Sequence, residues 1–415
     1  MKSCELSKNQ VIKFVEKYGS PLYVFHVKEF EQNYLDLLNT FRTIYPKYNI
    51  GYSFKTNYTP AIIQKVKELG GLAEVVSDME YKLAKRIGYG NKDIIFNGPV
   101  KGEGLFDHLN NGGVINVDNL DELSSIVEYT KTSTAEVRIA FRVNIDIGQG
   151  FVSRFGLDAY EDDRDCELKQ AFNLVNSLRN IKVVGLHCHV GRSRNIEAWQ
   201  NRVSIMFNLV DKYFEDSIPE FIDLGSGMNS IMESDLAKQF SGHIPSYKEY
   251  AEVVAVAMKN RYGNLPYEKQ PWLYTEPGTT VISGYMSFVS KILNIKNVKG
   301  KTYITFDCSG GNMGDICHLK NLPITIYDTG KNRKGCHDAT FAGYTCLEHD
   351  HMYEGFNGEL AVGDYIQFRN VGSYSNVFKP PFILPNCAMI SLNGNETKLI
   401  KRKETVEDVF STYVF

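Results

Sequence analysis

From about residue 48 to residue 285, short β-rich runs alternate with longer amphipathic segments, and few architectures accept that rhythm. The runs are Ile50–Phe54, Leu72–Val76, Asp93–Phe96, Val114–Val117, Val137–Val143, Val183–His187, Glu220–Leu224 and Trp272–Thr275. Between them lie stretches of helical character such as Ala61–Leu69, Met79–Ile87, Leu120–Tyr129 and Leu168–Leu178, with Asp78 and Asn119 where helix N-caps are expected. Eight β-then-α units predict an α/β fold built on a closed, TIM-like (β/α)8 barrel of parallel strands ringed by helices.

After Gly284 the rhythm changes. Phe288–Ile295, Thr302–Phe306, Ile324–Tyr327, Asp364–Arg369 and Ala388–Leu392 sit between turn-rich segments and predict a second, mostly β domain of sandwich or barrel type. The early run Pro21–His26 has no following parallel partner nearby and is expected to join that second sheet. The predicted boundaries are 1–45 for an N-terminal segment partly given to the β domain, 46–285 for the barrel, and 286–415 for the C-terminal β domain.

With 46 basic and 49 acidic residues the net charge is −3, which recommends neither nucleic acid nor an anionic membrane as a partner. The basic clusters Lys331 to Lys334 and Lys401 to Lys403 read as solvated loop charge. No apolar run approaches the roughly 18 residues of a membrane span, and Met1 to Lys17 lacks the apolar block of a signal peptide. The 8 cysteines (4, 166, 188, 308, 317, 336, 346, 387) include no CxxC pair, so reduced thiols and a cytoplasmic location are expected.

Barrel active sites are built at the C-terminal ends of the strands. Lys55 follows the first predicted strand; Ser77, Asn97, Asp118, Asn144, His187 with His189, Gly225-Ser226-Gly227 and Glu276 follow the others. A lysine there is either a surface residue or an amine held close to a carbonyl cofactor, and the flanking aromatics Tyr52 and Phe54 favour Schiff-base chemistry. Asp223-Leu-Gly-Ser-Gly-Met228 is a tight turn or a phosphate cradle, since glycines let backbone amides approach an anion closely. Glu276-Pro-Gly278 is a strand-to-turn corner or an inward carboxylate suited to a protonated pyridine nitrogen, and barrel closure makes it a neighbour of Lys55. His187 and His189 fall on one side of a strand, which suits either metal ligation, with His318, His337, His349 and His351 as further candidates, or a single ring-stacking or acid–base histidine.

The set, in this order and spacing, resembles the fold-type III pyridoxal-phosphate decarboxylases, the family of diaminopimelate, ornithine and arginine decarboxylases. The likeness runs from Pro21-Leu-Tyr-Val24 through Tyr52-x-x-Lys55-x-Asn57, Ile94-Ile-Phe-Asn-Gly98, Asn116-Val-Asp118, Arg142-Val-Asn144, Ser153-Arg-Phe-Gly156, Gly185-Leu-His-Cys-His-Val-Gly191, Asp223-Leu-Gly-Ser-Gly227 and Glu276-Pro-Gly278 to the C-terminal domain. There Gly343-Tyr-Thr-Cys-Leu-Glu-His-Asp350 resembles the block whose cysteine and aspartate reach a neighbouring subunit's site, and Asn370-Val-Gly-Ser-Tyr374 the block whose tyrosine helps hold a phosphate. The resemblance implies pyridoxal 5'-phosphate (PLP) on Lys55 as an internal aldimine and Glu276 holding the ring nitrogen protonated. His189 would stack on the ring, with Gly225, Ser226, Gly227 and Tyr374 at the phosphate. It also implies a homodimer with composite sites, in which Cys346 of the partner subunit, or Lys55 from the other face, protonates the substrate α-carbon after CO2 loss. The substrate is then an amino acid or a derivative of one, and Asp350 would contact its amine or distal group.

Departures from the pattern bear on specificity. Arg192 stands where the family commonly has serine and Thr279 where it has arginine, so Arg192 is expected to replace the missing guanidinium at the phosphate. Leu347 occupies the place of an acidic residue that receives the substrate's distal amine, and Leu319-Lys-Asn-Leu-Pro323 lacks the arginine of a substrate motif. Glu348 and His349 are the candidate substitutes for that acid, with Glu348 carried as a substrate-binding residue. Rival readings are a PLP-dependent racemase, a metal-dependent barrel hydrolase using His187 and His189, and a non-catalytic decarboxylase homologue.

Overall fold

A computed structural model describes residues 4–132, 136–148, 150, 153–160, 165–215 and 217–415. The chain divides into two compact units, one of Tyr34–Asn229 with His243–Gly278, the other of Met1–Asn33, Ser230–Gly242 and Thr279–Phe415. Residues 230–242 thus part company with the barrel to which the sequence boundaries assign them. The reason is local: Arg369 grips the Glu233 carboxylate with Nε and Nη2, at 2.6 and 2.8 Å, and the Gln239 side chain pairs with the backbone of Asn321.

Strand β1 (Leu22–His26) comes first and belongs to the second unit. The barrel follows as β2 (Tyr48–Ser53), β3 (Leu72–Val75), β4 (Ile94–Phe96), β5 (Val114–Val117), β6 (Val137–Asn144), a two-residue strand β7 (Leu157–Asp158), β8 (Ile181–His187), β9 (Phe221–Asp223) and β10 (Trp272–Thr275). All pair in parallel in the order β2-β3-β4-β5-β6-β8-β9-β10, and β10 returns to β2 with Leu273 opposite Tyr48, while β7 hangs from the end of β6. The sheet is therefore closed, with no free edge among these eight strands.

Helices between the strands start where the local chemistry caps them. Asn119 accepts from the Glu122 amide, as its position suggests, but the helix Asp78–Ile87 is capped by Ser77 rather than Asp78. Asp78 sits one residue inside, where its carboxylate suits the positive helix end and accepts from the Gly104 amide at 3.0 Å.

In the second unit the remaining strands are β11 (Met286–Val298), β12 (Lys301–Phe306), β13 (Ile324–Tyr327), β14 (Lys334–Ala342), β15 (His351–Leu360), β16 (Tyr365–Arg369), β17 (Ala388–Asn393) and β18 (Glu396–Lys401). They form one sheet in the order β15-β14-β12-β11-β1-β17-β18, with β16 pairing both β11 and β13. β1 is buried along its whole length between β11 and β17. The helix Lys8–Tyr18, closed by a Ser7/Gln10 capping box, lays Val11 and Phe14 onto Leu22, Val24, Val289 and Ile390. Each such side chain contributes about 1.5–3 kcal/mol on burial, enough to hold the N-terminal segment on a domain built mostly from the other end of the chain. Among the described residues no helix is long and apolar enough to cross a membrane.

Candidate active site

A cavity of about 690 Å³ opens in the barrel unit, and Lys55, Glu74, Asn97, Arg142, His187, His189, Arg192 and Glu276 are among the residues that line it. Barrel closure is what assembles them. Lys55 lies two residues past β2, in the turn Phe54–Thr56, and Glu276 one residue past β10, on adjacent strands although 221 positions apart in sequence.

Lys55 is half-buried, and its Nζ lies 2.6 Å from Oε2 of Glu74, a carboxylate almost wholly buried on β3. Tyr52 and Phe54, the aromatics beside it in sequence, are buried, and the Tyr52 hydroxyl donates to the Asn57 carbonyl at 3.0 Å. Asn97 joins the two carboxylates of the site: its Nδ2 donates to Glu74 Oε1 at 3.0 Å and to Glu276 Oε1 at 2.6 Å. Asn116 donates to Asn97 Oδ1 at 2.7 Å, which keeps the amide nitrogen turned toward both acids.

The other Glu276 oxygen meets His187 Nε2 at 3.1 Å, and Asp223 lies alongside. Burial alone would push Glu276 up, but His187, Lys55 and His189 together hold its carboxyl well below the usual range. Asp223 goes the opposite way, driven well above the usual range by burial and by the Glu276 charge. Burial, then the Lys55 charge, keeps His189 neutral, and its Nδ1 accepts from the Ser226 amide at 3.3 Å. Ligand-type atoms of His187, Asp223 and Glu276 lie within 4.8 Å of one another. The neighbours of His187 in this cluster are carboxyls, not the His189 with which alternation along a strand paired it.

Gly225, Ser226 and Gly227 do not line the cavity; they pack directly behind His189 and Val190. A Cβ on Gly225 (φ +60°) would stand 2.4 Å from the Cys188 carbonyl, and one on Gly227 (φ +108°) 2.5 Å from that of Val190, so this loop admits no side chain at either position. Arg142 is anchored by Asp118 at 3.2 Å and lies 4.8 Å over the Phe155 ring. Lys101 and Glu122, buried and 2.7 Å apart, brace the Asp118 backbone amide from beneath.

The C-terminal candidates belong to the second unit. Cys346 is exposed, and the other seven cysteines are buried. Asp350 accepts from the Gly310 amide at 2.6 Å with one oxygen and from the Thr345 hydroxyl and amide, at 2.6 and 3.2 Å, with the other. Glu348 and His349 line a crevice of about 660 Å³ that also holds His318 and His351. Leu347 is 43% exposed. Tyr374 adopts a positive φ of 52° and packs on Phe378 with ring centroids 5.2 Å apart.

Two participants carried no role in the sequence reading. Glu74 has a signal in retrospect, an acid in the middle of the apolar run Leu72–Val76, whereas Asn97 is one of several polar residues at strand ends and only its contacts single it out. Glu80, the third residue of its helix, is buried with Oε2 2.8 Å from the Val76 amide. Burial, then the charge of Glu74, pushes its carboxyl from 4.5 up to about 7. A folded value above the unfolded one gives stability that is present below about pH 4.5 and lost as pH rises through about 7. Glu80→Gln is therefore expected to leave stability unchanged near pH 4 and to raise it by roughly 1–3 kcal/mol near pH 8, as read by denaturant midpoints.

The chain is 24% identical over 412 residues to the diaminopimelate decarboxylase of Archaeoglobus fulgidus, covering 96% of this chain and 94% of the relative. It is also 24% identical to the L-glutamyl-[BtrI acyl-carrier protein] decarboxylase of Niallia circulans, covering 98% and 96%. Its fold matches the crystal structure of the M. jannaschii diaminopimelate decarboxylase in complex with L-lysine with a TM-score of 0.85 at 24% identity, over 98% of this chain and 94% of that one. The family model described as "Pyridoxal-dependent decarboxylase, pyridoxal binding domain" matches residues 32–283, more than half of the chain. On that match the chain belongs to the pyridoxal-dependent decarboxylases and is a PLP-dependent carboxy-lyase.

Proposed function

We propose that the chain decarboxylates an amino acid, or a derivative of one, at composite sites of a homodimer. The observation that carries this reading is a single barrel cavity that combines a lysine amine, a buried ionised carboxylate and a neutral histidine. These residues fit PLP: an amine for its carbonyl, a carboxylate for its ring nitrogen, and behind the cavity wall a loop too close-packed for any side chain at Gly225 or Gly227. Bound there, PLP supplies an electron sink for the pair released when CO2 leaves.

Lys55 would hold the cofactor through Nζ, and Glu74, 2.6 Å away, keeps that nitrogen in place. Glu276, held low and clamped by Asn97 and His187, would keep a proton on the pyridine nitrogen. His189, neutral and anchored to the Ser226 amide, would cover the face of the ring. Arg192 on the cavity wall would supply charge to the phosphate, and Arg192→Ala is expected to weaken PLP binding by about tenfold in an absorbance titration; the family pattern gives Tyr374 a hydroxyl for the same group. Cys346 of the partner subunit would return a proton to the substrate α-carbon, while Asp350, tying the Thr345 segment to the Gly310 amide, sets the shape of the segment that carries the thiol. Glu348 contacts the distal end of the substrate.

Leu347 offers no charge to a distal ammonium, and leaving one unpaired costs on the order of a few kcal/mol. The reading therefore favours a substrate whose far end is not a free ammonium, and a panel of L- and D-amino acids, meso-diaminopimelate and carrier-bound glutamyl substrates tests it by CO2 release. The composite site has its own test. Lys55→Ala and Cys346→Ala proteins, each inactive alone, regain about a quarter of the parental activity when their subunits are exchanged one to one, because half the dimers then hold one intact site. Failure to regain activity despite demonstrated subunit exchange removes the partner thiol from the mechanism. Exchange of the α-proton without CO2 release would favour a racemase.

A further inference from the structure

Arg202, on the helix Ile196–Phe214, has no exposed surface, yet among the described residues its acceptors are all backbone carbonyls. Nη1 donates to the carbonyls of Leu224 at 2.9 Å and Ser226 at 2.7 Å, and Nη2 to that of Val190 at 3.1 Å. Its guanidinium lies 4.1 Å from the Trp199 ring, Nε has no partner, and no carboxylate pairs with it among the described residues. A guanidinium does not shed its proton to escape such a site, so a positive charge is locked there at a cost the fold must repay elsewhere.

What this charge arranges is visible in the peptide planes. In a trans peptide the N–H points opposite to the preceding carbonyl. With the carbonyls of Val190 and Ser226 drawn onto Arg202, the amides of Gly191 and Gly227 are turned to the side away from it. Gly191 lines the cavity and Gly227 is buried, and neither N–H finds an acceptor among the described residues. The third amide of the set, Gly225, is taken by Asp223 Oδ1 at 2.8 Å. The Gly191 amide is exposed at the cavity and the Gly227 amide is buried without an acceptor; backed by one buried unpaired cation, the two make a receptor for a compact anion, because a buried donor such as Gly227 is costly until an acceptor arrives.

We propose that Arg202 is the positioning residue of this cradle, and that the anion is the phosphate group of the cofactor, held by loops that Arg202 clamps and by a charge it never brings into contact. The inference rests on the PLP reading. It differs from the role given to Arg192, which acts from the cavity wall.

The test compares two probes on the apoprotein: PLP, and pyridoxal, which has the aldehyde but no phosphate. Arg202→Met keeps most of the buried volume and loses the charge. It is expected to lower PLP affinity by about 10- to 100-fold while pyridoxal affinity changes by less than about twofold. Arg202→Lys retains the charge with fewer donors and is expected to lose less, and its selective loss of PLP over pyridoxal decides the matter if the methionine variant does not fold. Equal losses for both probes would reduce Arg202 to a structural support and overturn the proposal, as would unchanged PLP affinity. A parental protein that captures neither probe on Lys55 would remove the cofactor reading itself, and this inference with it.

Discussion

Lys55→Ala loses the borohydride-trappable link to PLP and at least about 10³-fold in amino-acid decarboxylation, while the protein stays folded. On the proposed reading this amine carries the covalent bond to the cofactor, and among the described residues lining the cavity no other lysine is present to take over. The fold survives because the lysine side of the ion pair it breaks is 34% exposed, where screening leaves little net stabilisation. Glu74 keeps its bonds from Ser53 and Asn97. Peptide mapping of the reduced parental protein checks the assignment. A pyridoxyl group on Lys101, the buried lysine paired with Glu122, would show that the wrong amine has been chosen.

Glu276→Gln is expected to lower kcat by roughly 10²- to 10³-fold with less than about a tenfold change in PLP affinity, because it removes charge at the ring nitrogen while phosphate and lysine contacts remain. The substitution reaches further than one atom. Asn97 then faces an amide where it had a carboxylate, and Asp223 is relieved of the adjacent charge that, after burial, keeps its carboxyl high. Asp223 ionises more readily in the variant, so activity retained at alkaline pH would point to Asp223 taking over at the ring nitrogen. The same variant separates the cofactor reading from a metal centre built on His187, Asp223 and Glu276. Stoichiometric zinc in the parental protein, lost with Glu276 while PLP binding stays unaffected, would favour the hydrolase.

Much of the second sheet was illegible in sequence for reasons visible in particular strands. β14 begins with the exposed Lys334 and alternates irregularly, and β15 carries glycines at 355 and 358, so neither shows the apolar period that betrays β11 or β16. Both are held by the ladder between them, which runs from Lys334 opposite Leu360 to Ala342 opposite His351 through several register shifts. Backbone pairing of this kind leaves little trace in side-chain pattern. β18 is likewise half exposed and follows from its pairing with β17.

The sequence by itself determined the barrel and the order of its strand-end residues, because burial on a parallel sheet forces near-continuous apolar runs and crossover lengths force helices between them. It also determined the chemical types at those ends: lysine, histidines, glycines and glutamate. Only the tertiary structure decided how they are paired. Lys55 meets Glu74 rather than an apolar pocket of its own aromatics, Asn97 bridges two acids, the Asp223 and Glu276 carboxyls are pushed in opposite directions, and Arg202 turns loop carbonyls inward. These relations are distances of a few ångströms between residues tens to hundreds of positions apart, and such distances exist only once the sheet has closed.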